Sequence, residues 1–316
     1  MDAQSHRAVL LAVGVTLLLW ASAFVAIRFV GRSLSPGPLA LGRLAVASLV
    51  LSAVVLARRE RPPAGRAAAF AVLSGLLWLG VYNLALNAAE RRIDAGTSAL
   101  LVNTGPIFIA LLAGRALREG YPRALVGGCA VAFTGAVLIG IGVSRHGLQA
   151  TWGAGLCVIA ALGYAAGVVA QKPALRSASP LAVTWLACTV ATLACLPYAP
   201  ELIDQAGRAG ADKLAWTAYL GLGPTAVGFG CWAFALARTS AGRLGVTTYL
   251  VPPLVVLLGW AFLAEAPPLL AAPGGVLCLA GVALSRRRAA AGGIAPPPAA
   301  QSVLPAEVAT SGSRPS

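Results

Sequence analysis

Ten apolar stretches of about twenty residues each follow one another along this chain, at roughly 8–30, 38–57, 67–88, 95–114, 123–143, 152–171, 180–197, 213–236, 243–263 and 269–285. A helix of about twenty apolar residues matches the hydrocarbon thickness of a bilayer. The breaks between stretches carry turn and charge signals: Ser35-Pro36-Gly37-Pro38, Arg61-Pro62-Pro63, Glu119-Gly120-Tyr121-Pro122, the segment from Pro197 to Pro200, and Pro267-Pro268. The sequence therefore predicts an all-α membrane protein with ten transmembrane helices. Composition agrees, with 58% hydrophobic and 11% charged residues, where a soluble domain carries about 25% charged. A soluble enzyme, a disordered chain and a secreted disulfide scaffold are excluded. Beyond Arg288 the chain becomes low in complexity, so residues 289–316 are expected to form a disordered cytoplasmic tail.

A net charge of +14 raises the question of nucleic acid. The basic residues, however, sit in short loops and form no stripe with interleaved aromatics, so no nucleic-acid partner is expected. With the N-terminus inside and helices alternating, 16 Lys and Arg fall on the inner side, Arg58, Arg118, Arg176 and Arg238 among them. Six fall outside, and Arg28 and Arg43 lie within predicted helices. The positive-inside bias then places both termini in the cytoplasm of a multi-pass inner-membrane protein. Arg7, an apolar run and Ala21-Ser22-Ala23 imitate a cleavable signal, but the run continues to Val30 and is read as the first span. The six cysteines all fall in apolar runs without a CxxC pair. They are read as small hydrophobes, and no metal or cofactor is expected.

The two halves resemble each other. Sliding residues 95–139 by 146 positions pairs Gly96 with Gly242, Pro106 with Pro252, Glu119 with Glu265, Pro122 with Pro268, Gly128 with Gly274 and Gly135 with Gly281. At an offset of 144, Ala21 meets Ala165, Ser35 meets Ser179, Pro36 meets Pro180 and Arg28 meets Lys172. The expected units are therefore residues 1–143 and 144–288, five helices each. Five is odd, so the second unit enters the membrane from the opposite side, giving inverted-topology repeats. Arg115, Arg118 and Arg123 flank Glu119, whereas Ala261, Ala264 and Leu269 flank Glu265, as opposite faces require.

Polar side chains at depth need partners in hydrocarbon and mark candidate sites. Asn83 and Asn87 share one face of the third helix. Asn103 and Thr104 precede Pro106 in the fourth, while Thr247, Thr248 and Tyr249 precede Pro252 in the ninth. Each proline lacks an N–H and frees a carbonyl one turn back, so Pro106 and Pro252 are expected to kink their helices beside a solute. Asn103 and Tyr249 are repeat partners and the first choices for solute contact, followed by Asn83, Asn87 and Thr248. Trp20, Tyr82, Tyr164 and Trp232 could line the cavity. Each of these residues also has a plain structural role open to it, in interhelical bonding, packing or interface anchoring. Arg43 lies roughly 8 Å below the outer end of the second helix. Snorkelling to headgroups and binding a carboxylate both fit it. Glu119 and Glu265 sit at helix ends, where capping or gating contacts are expected. All acids fall at helix ends, in loops or in the tail, so the simplest coupling is exchange or uniport without a buried proton site. Glu90 and Asp94 would act at most from the outer mouth.

These features resemble the EamA-type family of the drug/metabolite transporter superfamily. The likeness rests on Trp20-Ala-Ser-Ala-Phe24 with Arg28 near the end of the first helix, Ser35-Pro36 leading to Arg43, Ala-Gly starts with mid-helix prolines and Leu-x-Glu ends in helices four and nine, and paired glycines in helices five and ten. It covers roughly residues 8–288. Ala21 and Ala23 stand where Gly or Asn is common, and Ala187 occupies the second-repeat position of Arg43. The resemblance implies a carrier of small organic solutes, often amino acids or metabolites, often outward. The expected function is a secondary transporter, an exporter or exchanger working by alternating access as a monomer or homodimer. The alternatives are a multidrug carrier or lipid flippase of the same fold. A membrane enzyme would need a nucleophile with its base or metal-ligating groups, yet the only histidines, His6 and His146, lie outside the predicted core. A channel would show charged rings or a filter sequence.

Overall fold

The structure is a computed structural model describing residues 3–92, 95–118, 120–143, 152–263 and 270–287. Asp94, Glu119, Glu265, the junction expected after Val143 and the tail 289–316 lie outside the described residues. Every regular element among the described residues is helical.

Helices α1 (Ala3–Val30) and α2 (Pro36–Ala57) are single rods. Helix α3 (Gly65–Ser74) widens into a π-helical stretch at Gly75–Val81 before α4 (Tyr82–Glu90). Helices α5 (Ala95–Val102) and α6 (Gly105–Ala116) are separated at Asn103–Thr104, and α7 (Arg123–Val143) follows. Helix α8 (Trp152–Ala174) leads to α9 (Pro180–Cys195), which passes through a tight turn, Leu196–Tyr198, into α10 (Ala199–Arg208). Helix α11 (Ala211–Leu220) runs through a second π-helical stretch, Gly221–Gly228, into α12 (Phe229–Arg238). Helix α13 (Ala241–Val246) passes through a 3₁₀ turn, Thr247–Leu250, into α14 (Val251–Leu263), and α15 (Ala271–Arg287) ends the described chain.

Among the described residues, seven helical stretches are long and apolar enough to cross a membrane: Gln4–Val30, Pro36–Ala57, Gly65–Glu90, Gly155–Ala174, Pro180–Arg208, Ala211–Arg238 and Ala241–Phe262. Gly105–Ala116, Arg123–Leu138 and Ala272–Gly281 are shorter apolar helices. Outward faces carry large apolar side chains such as Leu11, Leu49, Leu56 and Phe262. Hydrocarbon is the solvent such faces match, since soluble surfaces rarely expose contiguous apolar patches.

The wide turn at Gly221–Gly228 has a local cause. Pro224 cannot donate to the carbonyl of Leu220, and its ring crowds that carbonyl. The Thr225 hydroxyl donates to it instead, at 2.7 Å, so the freed carbonyl keeps a partner. Helices α2 and α9 run antiparallel, cross-tied at both ends. The Ser35 hydroxyl donates to Glu201 at 2.5 Å and the Ser35 amide to Gln205 at 2.7 Å. The Ser179 hydroxyl donates to Glu60 at 2.7 Å. Glycines bring backbones together elsewhere. A Cβ on Gly75 would lie 2.5 Å from the Ala187 carbonyl oxygen, and one on Gly221 2.6 Å from that of Arg43. Helices α7 and α15 pack on one another through Gly135 against the Gly274 carbonyl and Gly281 against the Gly128 carbonyl. The main core runs through α1, α2, α4, α8, α9 and α12, and a smaller cluster joins α7, α15 and Tyr249.

Candidate functional site

A small cavity of about 50 Å³ lies among α1, α2, α4, α5, α8 and α12. Helical periodicity delivers most of its wall. Trp20, Phe24 and Ile27 are spaced four and three apart on α1, so they share a face. Trp78, Tyr82 and Leu86 recur every fourth residue along the π-helical stretch and α4. Val102, Asn103, Tyr164, Phe229, Thr248 and Val251 complete most of the rest. The aromatic rings form one connected group: Trp78 to Phe229 at 4.6 Å, Trp78 to Tyr164 at 5.2 Å, Trp20 to Phe229 at 5.3 Å and Trp20 to Trp78 edge-on at 5.7 Å between centroids. Small residues make room for them. A Cβ on Gly167 would lie 2.5 Å from that of Trp78, and one on Gly105 would meet the Tyr164 ring at 2.5 Å.

Arg43 is the cation in this wall, and its side chain is 3% exposed. Its Nε and Nη2 donate to the Thr225 hydroxyl at 3.1 and 3.0 Å, while that hydroxyl donates onward to Leu220. A guanidinium has five N–H donors, so this arrangement leaves most of them to the cavity. Among the described residues, no hydrogen bond or ion pair joins Arg43 to a carboxylate. The wide turn of the α11–α12 rod packs over Arg43 and bonds it through Thr225.

The other expected site residues divide into two groups. Trp20, Tyr82, Asn103, Tyr164 and Thr248 join Arg43 in the wall. Trp232 stands behind it, stacked on Trp20 at 5.0 Å and 1% exposed. Asn83 and Asn87 share a face of α4 as expected, but that face adjoins the cavity side. Asn83 donates to the Leu79 carbonyl at 2.7 Å, and Asn87 ties α4 to the Pro36 carbonyl at 3.2 Å. Tyr249 is fully buried in the smaller cluster with Ala132 and Cys278, outside the cavity wall. The prolines act by restarting helices. Pro106 and Pro252 are each the second residue of a new stretch, where a missing N–H is harmless. Side chains before them close the broken ladders: Asn103 donates to Ala99 at 2.7 Å, Thr104 to Leu101 at 2.8 Å and Thr248 to Gly245 at 2.8 Å. Asn103 thereby has its amide oxygen left as an acceptor.

Trp78, Phe229 and Thr225 were not singled out by the sequence. Glu90 departs from expectation in another way. It is the last residue of α4, one turn beyond Leu86, yet only 4% exposed. It lies within electrostatic reach of Arg43 and Tyr82. Glu90 thus stands at a helix end as expected, but is buried there rather than open at a mouth.

These placements give a mutational expectation. Asn103→Ala should lower transport several-fold at normal membrane levels, since one lost hydrogen bond is worth about 0.5–1.5 kcal/mol. Tyr249→Phe, outside the wall, should leave the apparent affinity for solute near the parental value. Exchange kinetics of the two variants side by side check both.

Comparison with known proteins points to transport. The model of the EamA-like transporter family matches residues 6–141 and 151–287. A protein of Streptantibioticus cattleyicolor described as a probable terminal-alkyne amino-acid exporter is 36% identical over 277 residues, which cover 86% of this chain and 91% of that one. The uncharacterized transporter YdfC of Bacillus subtilis is 28% identical, covering 84% and 86% of the two chains. The uncharacterized inner membrane transporter YhbE of Escherichia coli is 24% identical, covering 80% of each. A solved crystal structure matches with a TM-score of 0.71 at 21% identity, over 87% of this chain and 95% of that one, a likeness of fold.

Proposed function

The chain belongs to the EamA-like transporter family, and on that premise we propose that it is a secondary carrier moving small polar organic solutes, amino acids or close relatives of them, outward or in exchange. The observation that carries this is the buried Arg43 guanidinium, set in a wall without a lining carboxylate and facing aromatic rings. Glu90 is within electrostatic reach, but no carboxylate among the described residues bonds to this desolvated cation, which favours an anionic ligand group. A carboxylate on Arg43 would leave an ammonium within reach of the Asn103 amide oxygen and an apolar side chain among Trp20, Trp78 and Phe229. The name of the Streptantibioticus relative agrees with this chemistry.

We further propose ten spans in two inverted five-helix repeats, with both termini cytoplasmic. The three shorter apolar helices supply the spans beyond the seven long ones. The offset of 146 that pairs Pro106 with Pro252 also lays the wide turn at Gly75–Val81 onto that at Gly221–Gly228. Contacts correspond as well. Gly75 on Ala187 matches Gly221 on Arg43, Gly135 on Gly274 matches Gly281 on Gly128, and the Ser35 tie to Glu201 matches the Ser179 tie to Glu60. Reporter fusions should place the loops near Arg61, Arg118 and Arg176 inside, and those near Arg92, Arg145 and Glu265 outside. Arg118 and Glu265 on the same side would overturn the inverted repeat.

The aromatic wall would also suit apolar drugs, which keeps multidrug efflux as the second reading. Arg43 separates the two, because it repels cationic dyes. A strain overexpressing the protein should survive toxic amino-acid analogues better than its parent and gain nothing against cationic dyes. Protection against dyes alone would favour the second reading.

A further inference from the structure

A second hollow lies on the far side of α1 from the cavity wall. Trp20, Phe24 and Ile27 face the cavity, while Ser22, Ala26 and Phe29 line an open groove of about 580 Å³. At 3.6 residues per turn the two sets point about half a turn apart. Helices α11 and α14 form the sides of the groove, through Trp216 and Tyr219 on one and Leu258 and Phe262 on the other. All three helices have a terminus at its mouth. Phe29 is the second-last residue of α1, Asp212 the second of α11 and Phe262 the second-last of α14. The groove therefore starts at one end of the bundle and runs inward. Phe29 to Ser22 and Asp212 to Tyr219 are each a step of seven residues, a depth of about 10 Å at 1.5 Å per residue. That is most of one leaflet's share of a hydrocarbon core about 30 Å thick.

The floor and the mouth of the groove differ in chemistry. At the floor the Ser22 hydroxyl donates to the Leu19 carbonyl at 2.8 Å and accepts from the Tyr219 hydroxyl at 2.6 Å, so both hydroxyl hydrogens are already used. Above them the walls are aliphatic and aromatic, with Trp216 edge-on to Tyr219 at 5.4 Å and to Phe29 at 6.0 Å between centroids. Such a channel suits a hydrocarbon chain better than a polar solute. At the mouth stands an ion pair. The Lys213 ammonium lies 3.1 Å from the centroid of the Phe29 ring and donates to Asp212 at 3.1 Å. An ammonium has three donors and a carboxylate about four acceptor sites, so the pair keeps capacity for a ligand of both signs. The Asp212 side chain is 58% exposed. The pair is particular to this groove. At the repeat offset of 146, Leu258 and Phe262 fall on Leu112 and Ala116, which line another open groove beside Arg115 and Tyr121. Arg66 and Ala67 stand at the sequence positions matching Asp212 and Lys213, so the repeat itself does not require an acid beside a lysine.

We propose that this groove is a seat for a phospholipid whose headgroup carries a primary ammonium. The phosphate accepts from Lys213, the headgroup ammonium donates to Asp212, and one acyl chain fills the apolar channel down to Ser22 and Tyr219. Charge complementarity selects this occupant. The mouth carries one charge of each sign, as a zwitterionic headgroup does, so both are met at once. A net anionic headgroup leaves Asp212 facing negative charge, and a quaternary ammonium has no N–H to donate to it. Seated there, the lipid bridges α11 and α14 across α1 and steadies the helix whose other face carries Trp20 and Phe24.

The test needs no solute, so its outcome is separable from that of the transport reading. Purified protein in a non-ionic detergent is titrated with phosphatidylethanolamine, phosphatidylcholine and phosphatidylglycerol of identical acyl chains, and retained lipid is counted by native mass spectrometry. Phosphatidylethanolamine should bind about tenfold more tightly than either of the others, the worth of one charge-assisted hydrogen bond. Asp212→Ala should bring it down to the level of phosphatidylcholine. Lys213→Met should weaken both of these lipids by about tenfold. Ala215→Trp, at an exposed lining position, should fill the channel and abolish the tight site. Equal binding of the three lipids, a preference for phosphatidylglycerol, or a parental profile in Ala215→Trp would overturn the proposal. So would dimers that Ala215→Trp disperses, since the groove would then belong to a second copy of the chain. If Lys213→Met does not accumulate, Asp212→Ala and Ala215→Trp decide, because both replace exposed side chains.

Discussion

Arg43→Met should weaken the apparent affinity for a carboxylate-bearing solute by about 10- to 100-fold, while the protein accumulates in the membrane at normal or higher levels. The first part follows from the loss of a charge-assisted hydrogen bond, worth about 1.5–3 kcal/mol. The second follows from burial. Arg43 is 3% exposed and bonds to the neutral Thr225, so the fold carries the desolvation of a cation with no ion pair among the described residues, only the more distant charge of Glu90, in return. Methionine fills similar space without charge, and Thr225 keeps its bond to Leu220. Arg43→Lys retains the charge but loses the planar fork, so it should fall between the two. Exchange kinetics combined with quantitation of folded protein check the split. Normal affinity in Arg43→Met would remove Arg43 from the site, and loss of folded protein would make its role structural.

The largest effect on stability is expected at the contact between α7 and α15. A Cβ on Gly281 would lie 2.5 Å from the Ala132 amide nitrogen, 2.6 Å from its Cβ and 2.6 Å from the Gly128 carbonyl oxygen. Two of these are backbone atoms, which cannot rotate away, so Gly281→Val must push the helices apart. Without a hydrophobic force between helices in lipid, close packing is much of what holds them. Overpacking typically costs about 1–3 kcal/mol and here should reach the upper end. Gly135→Val should do comparable damage, because its Cβ would meet the Gly274 carbonyl oxygen at 2.5 Å. Gly14→Val is the control, since nothing lies within 4 Å of its Cβ position. Thermal stability in detergent, followed by size-exclusion profile, should fall sharply for the first two and little for the third. Equal stability of all three would mean that α7 and α15 do not pack as described.

How far the sequence revealed these features depended on which physical signal each residue leaves. Spans were legible because hydrocarbon demands long apolar runs. The wide turns at Gly75–Val81 and Gly221–Gly228 were not, since a run apolar on all sides has no period to betray an extra residue per turn. Arg43 was legible as a charge at depth, but counting residues from a helix end measures height and not lateral enclosure. A polar side chain before a proline marks Asn103 and Thr248, whereas Trp78 and Phe229 are apolar and carry no such mark. Thr225 leaves a sequence signal of its own, a hydroxyl beside Pro224 suited to the freed Leu220 carbonyl. Tyr249 is the repeat counterpart of Asn103. The 3₁₀ turn at Thr247–Leu250 advances about 120° per residue, and Thr248, not Tyr249, is the one in the wall.

The central claim is that this cavity carries a small solute by its carboxylate. It is tested most directly by counterflow into liposomes holding the purified protein and preloaded with an unlabelled amino acid. Uptake of the labelled amino acid should accelerate over protein-free liposomes. Excess of an analogue with an intact carboxylate should suppress it, while the matching decarboxylated amine should not. Suppression by the amine alone, or by cationic dyes and not by carboxylates, would contradict the account.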